Sequence, residues 1–256
     1  MLNFRFSNIF ICVLLLITIV ANLFLSIPWY IYAFIIMAWI SLLFYGSYFI
    51  RSQFYMNAIC RAKTNQKQIA LSFDDGPDGS HTESLLEILD REKVEAAFFC
   101  IGKNIIGQES LLRKIHDAGH LIANHSFSHS RYFDFFSFQK MKADLQTMDR
   151  ITEKTIGIKP VFFRPPYGVT NPNLSKAVKS GNYVAIGWSI RSLDTMIRDQ
   201  KKLLSRVNRV RPGDIILFHD RSQSMLAILP EFIRAVKSNG FQITRLDKLL
   251  NLEPYA

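Results

Sequence analysis

The stretch QIALSFDDGP at residues 68–77 decides the fold of this 256-residue chain. Residues 68–73 are mostly apolar and predict a buried β-strand, which two adjacent acidic residues, Asp74 and Asp75, follow directly. Adjacent carboxylates repel each other, so a turn buries both only when they share a cation or a proton. An ordinary acidic turn is the alternative interpretation, because the Gly-Pro pair that follows is typical of turns.

Downstream of this strand, strand and helix patterns alternate almost to the end of the chain. Seven strands are predicted, at 68–73, 96–101, 120–123, 161–163, 183–188, 215–218 and 241–244. Six helices are predicted between them, at 82–92, 109–118, 137–155, 173–180, 201–209 and 226–239. Such alternation implies parallel strands with helical crossovers, either closed into a barrel or open and doubly wound. The chain has no GxGxxG or P-loop motif to favour a nucleotide-binding open sheet.

The first 50 residues form a different kind of segment, with Arg5 as their single charged residue. Two uncharged apolar runs, 8–27 and 29–50, are each long enough to span a bilayer, and Pro28 separates them. One helix over both runs would be about 64 Å long, twice the hydrocarbon thickness of about 30 Å, so we expect two spans in a hairpin. A single signal anchor or a cleaved signal peptide is the alternative.

Basic residues flank both ends of this hairpin, whereas the turn between the two runs carries none. They are Arg5, Arg51, Arg61, Lys63 and Lys67. A hairpin returns the chain to its starting side, so the positive-inside rule places the large domain in the cytoplasm. The chain after residue 50 has a net charge of about +9, which favours membrane lipid or a phosphate-bearing substrate as partner. No nucleic-acid-binding module accompanies the charge, so no nucleic acid is expected.

Two histidines, His125 and His129, follow the third predicted strand and lie four residues apart. This spacing aligns both imidazoles if the segment is helical, although such a pair is also a common surface coincidence. With a carboxylate from another strand end, they form a two-histidine, one-carboxylate set that leaves coordination positions open for water and substrate. The combination is more specific than either part.

Two further polar residues end other strands. Arg164 ends the fourth strand before two prolines, and His219 ends the sixth. Considered alone, Arg164 could instead form a structural ion pair, and His219 could instead be an ordinary core histidine. Because the chemistry of barrels gathers at the carboxyl ends of the strands, we expect both to converge with Asp74, Asp75 and His125.

Four strings in this order resemble the successive motifs of the polysaccharide deacetylases with a NodB-homology domain, the fourth family of carbohydrate esterases. They are SFDDGP at 72–77, HSFSH at 125–129, RPPYG at 164–168 and LFH at 217–219. The resemblance implies an α/β fold, a distorted (β/α)7 barrel, here preceded by the transmembrane hairpin. The predicted organisation is thus a membrane anchor over 1–52, a basic linker over 53–66 and a deacetylase barrel over 67–250.

The resemblance implies a metal bound by Asp75, His125 and His129. Zinc is the expected ion, because it accepts nitrogen and oxygen ligands with open positions, and cobalt, nickel, manganese or iron would also bind such a set. A divalent cation suits the implied reaction, removal of an acyl group from an N-acylated amino sugar, because it polarises the amide carbonyl and lowers the pKa of bound water.

The resemblance also implies four catalytic roles. Asp74 would be the general base, and Arg164 would orient it. The backbone amide of Tyr167 would stabilise the developing oxyanion. His219 would be the general acid that protonates the leaving amine.

One motif departs from the family pattern. Arg191 stands where the family has an acidic residue, and Thr195 stands where a tryptophan is frequent. Asp194 could then tune the general acid, or Arg191 could bind an anionic group of the substrate, and the sequence leaves both open.

The sequence therefore predicts a membrane-anchored, metal-dependent N-deacetylase, expected to be a monomer. We expect its substrate to be an amino sugar at the cytoplasmic membrane surface, on a polysaccharide or a polyprenyl phosphate carrier. An extracytoplasmic enzyme acting on peptidoglycan or exported glycan is the rival expectation. A catalytically silent glycan- or lipid-binding barrel is the alternative from another functional class.

Overall fold

One curled sheet of eight parallel strands forms the centre of the computed structural model, which describes residues 3–256. The strands are β1 Gln68–Asp74, β2 Ala97–Cys100, β3 Leu121–Asn124, β4 Phe162–Phe163, β5 Val184–Ala185, β6 Ile190–Arg191, β7 Ile215–His219 and β8 Gln242–Ile243. Their order is β5-β4-β3-β2-β1-β7-β6, and β8 pairs with the beginning of β1. The arrangement confirms the distorted (β/α)7 barrel.

Two apolar helices form the N-terminal hairpin, and eight helices surround the sheet. The hairpin helices are α1 Phe4–Ala21 and α2 Trp29–Tyr48. The others are α3 Thr82–Arg91, α4 Gly102–Ile105, α5 Glu109–Asp117, α6 Phe138–Ile156, α7 Pro172–Ser180, α8 Gln200–Val207, α9 Gln223–Ser238 and α10 Leu246–Leu250. Short side-chain caps set several of these boundaries: Ser137 accepts the Lys140 N–H at the start of α6, and Asn171 accepts the Leu174 N–H at the start of α7.

The sheet is buried because its strands carry apolar side chains on both faces, as parallel sheets between helices require. Between the sheet and the surrounding helices, the Phe73 ring lies 5.3 Å from that of Phe98 and 5.9 Å from that of Phe218. Amphipathic helices such as α9 cover the outside with residues that include Phe232. The core fixes the strands, and thereby the loops at their carboxyl ends.

The strand predicted at 183–188 differs from the structure. It ends at Ala185, and a separate strand, β6, begins at Ile190. The reason is a change of partner: the Ile186 N–H donates to the Phe163 carbonyl, whereas the Ser189 N–H, three residues later, donates to the Ile215 carbonyl. The chain thus crosses here from one edge of the curled sheet to the other.

The two hairpin helices pack against each other in antiparallel fashion. Trp39 Nε1 donates to Asn8 Oδ1 at 3.1 Å, and the Tyr32 hydroxyl donates to the Thr18 carbonyl at 3.2 Å. Within the described part of the chain, these are the two helices long and apolar enough to cross a membrane. They are therefore candidate spans.

The bounds of the two helices differ from the predicted runs. The side chain of Asn3 caps the Phe6 N–H, so α1 begins four residues before the predicted span. It also ends earlier, at Ala21, because a turn follows in which Asn22 Oδ1 accepts the Ile27 N–H. The second helix ends two residues before the predicted end at residue 50.

The expected basic linker is packed into the barrel. Every second residue from 54 to 62 is buried: Phe54, Met56, Ala58, Cys60 and Ala62. Ile59 bridges to Ile186 in parallel fashion, and the Ala62 N–H donates to the Gly213 carbonyl. This seam segment, residues 54–62, therefore fills the gap where the chain crosses between the sheet edges.

Candidate active site

The expected convergence at the carboxyl ends of the strands is present. In the sheet register, Asp74 of β1 pairs with His219 of β7 and with Phe99 of β2. A pocket of about 160 Å³ opens above these strand ends. Six of the eight predicted site residues line it: Asp74, Asp75, His125, His129, Tyr167 and His219. The other two, Arg164 and Asp194, are buried behind them.

Asp75, His125 and His129 form a compact triangle of donor atoms. Asp75 Oδ1 lies 3.6 Å from His125 Nε2 and 3.4 Å from His129 Nε2, and one ligand atom from each residue lies within 4.8 Å of the others. Tetrahedral coordination with bonds of about 2.1 Å separates two donors by about 3.4 Å. The triangle therefore fits a divalent transition metal with positions left open for other ligands.

The two histidines reach this triangle through a loop and not through a helix. Ser126 and His129 have left-handed backbones, with φ of 67° and 41°, and the His129 N–H donates to Ser126 Oγ. The segment is not helical, so helical geometry does not align the two imidazoles, although the pairing of the histidines is present. Asp75 and Tyr167 are also left-handed, with φ of 74° and 59°. Such strained backbone is typical of functional sites.

The protonation of these residues suits metal binding. His125 Nδ1 lies 2.8 Å from the Arg164 carbonyl, so Nδ1 carries the proton and Nε2 is free to bind. Burial and the neighbouring His125 lower the pKa of His129 to about 3. Burial raises the pKa of Asp75, but the basic groups around it, His125, His129, His219 and Arg221, outweigh burial and the net shift is downward. Neutral imidazoles and an ionised carboxylate are the forms that bind a metal.

Asp74 is held by a buried arginine. Arg164 NH1 donates to Asp74 Oδ1 at 2.6 Å and to Ser72 Oγ at 3.0 Å. Its Nε and NH2 donate to the carbonyls of Ile186 and Gly187. The guanidinium is fully buried and uses all three nitrogens, so it fixes the carboxylate of Asp74 in one orientation.

His219 pairs with Asp194. The ring Nδ1 of His219 lies 2.8 Å from Asp194 Oδ1, and the backbone N–H of His219 donates to Asp194 Oδ2. The Ser192 hydroxyl also donates to Asp194 Oδ1. Burial alone lowers the pKa of His219, but the hydrogen bond and charge of Asp194 raise it above its ordinary value. Asp194, which the sequence offered as a substitute for the missing acidic residue, is therefore placed to tune this histidine, and Arg191 lines the pocket wall.

Outside the predicted set, Arg221 and Trp188 line the pocket, and Asp220 is buried next to His219 in the chain. Arg221 NH2 lies 3.0 Å from Asp75 Oδ2, and Trp188 lines the pocket beside Gly168. Asp220 is buried, accepts from Thr82 Oγ1 and packs against Gly76. Asp220 and Arg221 directly follow His219, so proximity to a strand end was a usable signal; Trp188 gave none, because it read as an ordinary apolar strand residue.

Comparison with known proteins agrees with this geometry. Residues 61–186 match the family model described as polysaccharide deacetylase. A peptidoglycan-N-acetylglucosamine deacetylase of Bacillus cereus is 34% identical over 197 residues, covering 73% of this chain and 89% of that protein. The peptidoglycan-N-acetylglucosamine deacetylase PgdA of Listeria monocytogenes is 32% identical over 193 residues, which are 74% of this chain. The chain spans only 40% of the length of that relative.

A solved structure shows the same fold. The crystal structure of the Bc1960 peptidoglycan N-acetylglucosamine deacetylase, in complex with a naphthalenyl N-hydroxybenzamide, superposes with a TM-score of 0.74 at 25% identity. The match covers 78% of this chain and 95% of that one. The part of this chain that it leaves out is about as long as the hairpin and the residues next to it.

Proposed function

Because this chain belongs to the polysaccharide deacetylase family, we propose that it hydrolyses the N-acetyl group of an amino sugar in a glycan. One observation carries the proposal: a metal-binding triangle stands in one pocket between two separate proton-transfer pairs, Asp74 with Arg164 and His219 with Asp194. Two carboxylates in different environments take different roles in this way. The same completeness argues against a catalytically silent binding barrel.

The residues divide the reaction between them. Asp75, His125 and His129 hold a divalent cation, zinc first among the candidates, which when bound polarises the amide carbonyl and makes water more acidic. Asp74, oriented by Arg164, takes the proton of the attacking water. The backbone amide of Tyr167 donates to the developing oxyanion. The ring of Tyr167, 4.7 Å from that of His129, covers one side of the site.

His219 completes the turnover by giving a proton to the leaving amine. An amine is a poor leaving group until it is protonated, so the reaction needs an acid that is charged at neutral pH. The pairing with Asp194 meets this need, because it raises the pKa of His219. The atoms balance: the amide C–N bond breaks, the acyl carbon gains an oxygen from water, and the nitrogen gains a proton.

The experiment is release of acetate from a panel of N-acetylated glycans by the purified full chain, before and after treatment with a chelator. We expect activity to disappear with the chelator and to return when zinc is added. The double variant His125→Ala/His129→Ala should lose both metal and activity. Stoichiometric metal in the purified double variant would contradict the assignment of the metal site to these residues.

Charge in the pocket supports an anionic substituent on the substrate. Arg191 lines the pocket, and its buried Nε has no hydrogen-bond partner among the described residues. Arg221 adds a second guanidinium beside Asp75. A guanidinium pairs well with a phosphate or carboxylate. A lipid-linked sugar would supply the phosphate, and an acidic glycan would supply the carboxylate.

Substitution of Arg191 separates these substrates from neutral ones. For Arg191→Gln we expect KM to rise about tenfold for an acidic N-acetyl sugar, since hydrogen bonds to charged groups are among the stronger ones, with little change for a neutral chito-oligosaccharide. The exposed Arg209→Gln makes the same change of charge outside the pocket and serves as the control. Equal effects on both substrates would remove Arg191 from substrate recognition.

We propose further that the hairpin anchors the enzyme in the membrane with the barrel on the cytoplasmic side. Two observations support it: the helices are apolar and largely exposed, and basic residues flank the hairpin at both ends. The names of the relatives, peptidoglycan deacetylases, favour the opposite side, because peptidoglycan lies outside the membrane. The side of the membrane on which the barrel lies therefore decides whether a lipid-linked precursor or the wall glycan is the substrate.

A further inference from the structure

Large apolar side chains that are exposed on the barrel gather at one end of it. Among the described residues after 50, six such side chains are exposed: Ile106, Tyr132, Phe135, Tyr167, Met196 and Leu252. The first five lie on connections that follow the carboxyl ends of strands, which is the end that carries the pocket. Only Leu252 lies at the opposite end, where it shares a surface cavity with Gln68 at the start of β1.

The end of α2 is joined to this same face. Ser47 and Thr170 form two hydrogen bonds: the Thr170 N–H donates to the Ser47 carbonyl at 3.0 Å, and Ser47 Oγ donates to the Thr170 carbonyl at 2.8 Å. Thr170 Oγ1 also donates to the Gly46 carbonyl. Thr170 lies three residues after Tyr167, on the loop that leads from β4 to α7. The candidate span therefore ends beside the pocket.

Phe135 stands next to that junction. Asn171, which directly follows Thr170, donates through Nδ2 to the Asp134 carbonyl at 3.0 Å, and Asn173 Nδ2 donates to the Phe136 carbonyl at 3.2 Å. These two bonds hold the turn with Phe135 at its tip against the loop that binds α2. The Phe135 side chain is nevertheless 86% exposed. A rigidly presented phenylalanine that contacts little of its own chain points to a contact outside it.

Basic side chains accompany these aromatic rings. The Arg131 guanidinium lies 4.7 Å from the centre of the Tyr132 ring, and the Lys140 ammonium lies 3.8 Å from the centre of the Phe136 ring. Aromatic rings with neighbouring lysine and arginine are the composition that membrane interfaces favour, because the rings sit at the headgroup level and the cations meet lipid phosphates.

We infer that the pocket face of the barrel lies against the lipid surface, with Tyr132 and Phe135 inserted at the headgroup level. The inference rests on the proposed anchoring by the hairpin and deepens the proposed function. The pocket then opens towards the bilayer surface, and the substrate class is an amino sugar held close to that surface. A platform on which a soluble glycan stacks is the competing use of the same aromatic rings.

The full chain in liposomes tests this inference with a polarity-sensitive fluorophore on single cysteines and quenching by brominated lipids. The native Cys60 and Cys100 are buried, and Cys12 is exposed on α1. Labelled Cys12 reports whether α1 lies in lipid. In a Cys12→Ser background, Phe135→Cys reports the pocket face, and the exposed Leu252→Cys at the opposite end is the matched control.

We expect strong quenching of the labels at positions 12 and 135 and several-fold weaker quenching at position 252. Equal quenching at 135 and 252 would overturn the inference. So would a label at 135 that responds to a chito-oligosaccharide and not to brominated lipid, since this identifies a glycan platform. Absence of quenching at Cys12 refutes the anchoring and this inference together. Acetate release by the same proteins is measured separately, so a failure of the proposed deacetylase activity is distinguished from a failure of membrane contact.

Discussion

Asp74 and Asp75 are neighbours in the chain, yet their carboxylates serve different partners. Asp74 is the last residue of β1 and points to Arg164, whereas the left-handed backbone of Asp75 directs the next side chain towards His125 and His129. One acidic pair thereby supplies both a base and a metal ligand. The repulsion expected between the two carboxylates is relieved by separate cationic or metal-binding surroundings.

This division predicts the outcome of removing the charge of Asp74. In Asp74→Asn we expect the metal content to stay near that of the wild type, because Asp75 and the histidines are unchanged, while turnover falls about 100-fold or more. Metal analysis and acetate release on the same sample check both parts. Asp75→Asn is the matched variant, in which metal should be lost as well. Wild-type turnover of Asp74→Asn would contradict the role of base.

The Asp194–His219 pair predicts a pH dependence. Because Asp194 raises the pKa of His219, the protonated acid persists to higher pH, and the rate falls only as the pH rises through that pKa. In Asp194→Asn the charge is gone, so the pKa of His219 falls and the alkaline limb of the rate profile moves to lower pH. The profile of kcat against pH measures this shift. An unmoved alkaline limb would assign it to another group.

At the scale of elements, the sequence predicted those parts of the molecule whose physics is local. The apolar pattern alone was sufficient to predict β1 and α6. A strand buried on both faces needs a run of apolar residues, and a helix buried along one stripe needs apolar residues at helical spacing. The convergence of polar residues at the carboxyl ends followed from parallel topology alone. The roles of individual side chains came from the family resemblance.

The parts that were missed depend on partners distant in the chain. The break between β5 and β6 arises from a change of pairing strand, which no local pattern records. The loop that joins His125 to His129 depends on left-handed backbone at Ser126, a non-glycine residue for which the sequence gives no signal. The seam segment did carry a sequence signal, an apolar residue at every second position from 54 to 62, but its polar and basic residues favoured a linker.

The seam segment predicts a contrast between two neighbouring residues. Met56 is buried with Phe163 and Tyr183 in one cluster, whereas Asn57 is exposed. Met56→Ala should lower the free energy of unfolding by about 2–5 kcal/mol, the range for large-to-small changes in a core. Asn57→Ala should change it by less than about 0.5 kcal/mol. Thermal unfolding of the full chain in detergent compares the two, and similar melting temperatures would mean that the segment is a loose linker.

At the scale of the whole molecule, both ends of the hairpin meet the same region of the chain. The Phe4 N–H donates to the Phe54 carbonyl at 2.9 Å, and the Phe4 ring lies 5.1 Å from that of Tyr55. The start of α1 and the end of α2 therefore lie on one side. If the hairpin spans the bilayer, the barrel lies on the side of residue 4.

A reporter fused after Ala256 identifies that side. We expect a fluorescent protein to be fluorescent there and alkaline phosphatase to be inactive, because the basic residues at the hairpin ends favour the cytoplasm. The same reporters fused within the hairpin turn, at residue 25, should behave in the opposite way. Alkaline phosphatase activity of the fusion after Ala256 would show that the barrel lies outside the membrane and would favour peptidoglycan as substrate.

The seam segment also bears on how such a protein is released or recombined. Because residues 54–62 complete the wall of the barrel, the anchor and the hydrolase are not interchangeable modules joined at residue 67. A protease that cuts before Ile50, which packs in the same buried cluster as Met56 and Cys60, sheds a barrel with its wall intact, whereas a cut after Ala62 sheds one with an open side. Gene fusions that transplant this barrel onto another tether keep its shape only when their junction lies on the N-terminal side of Ile50.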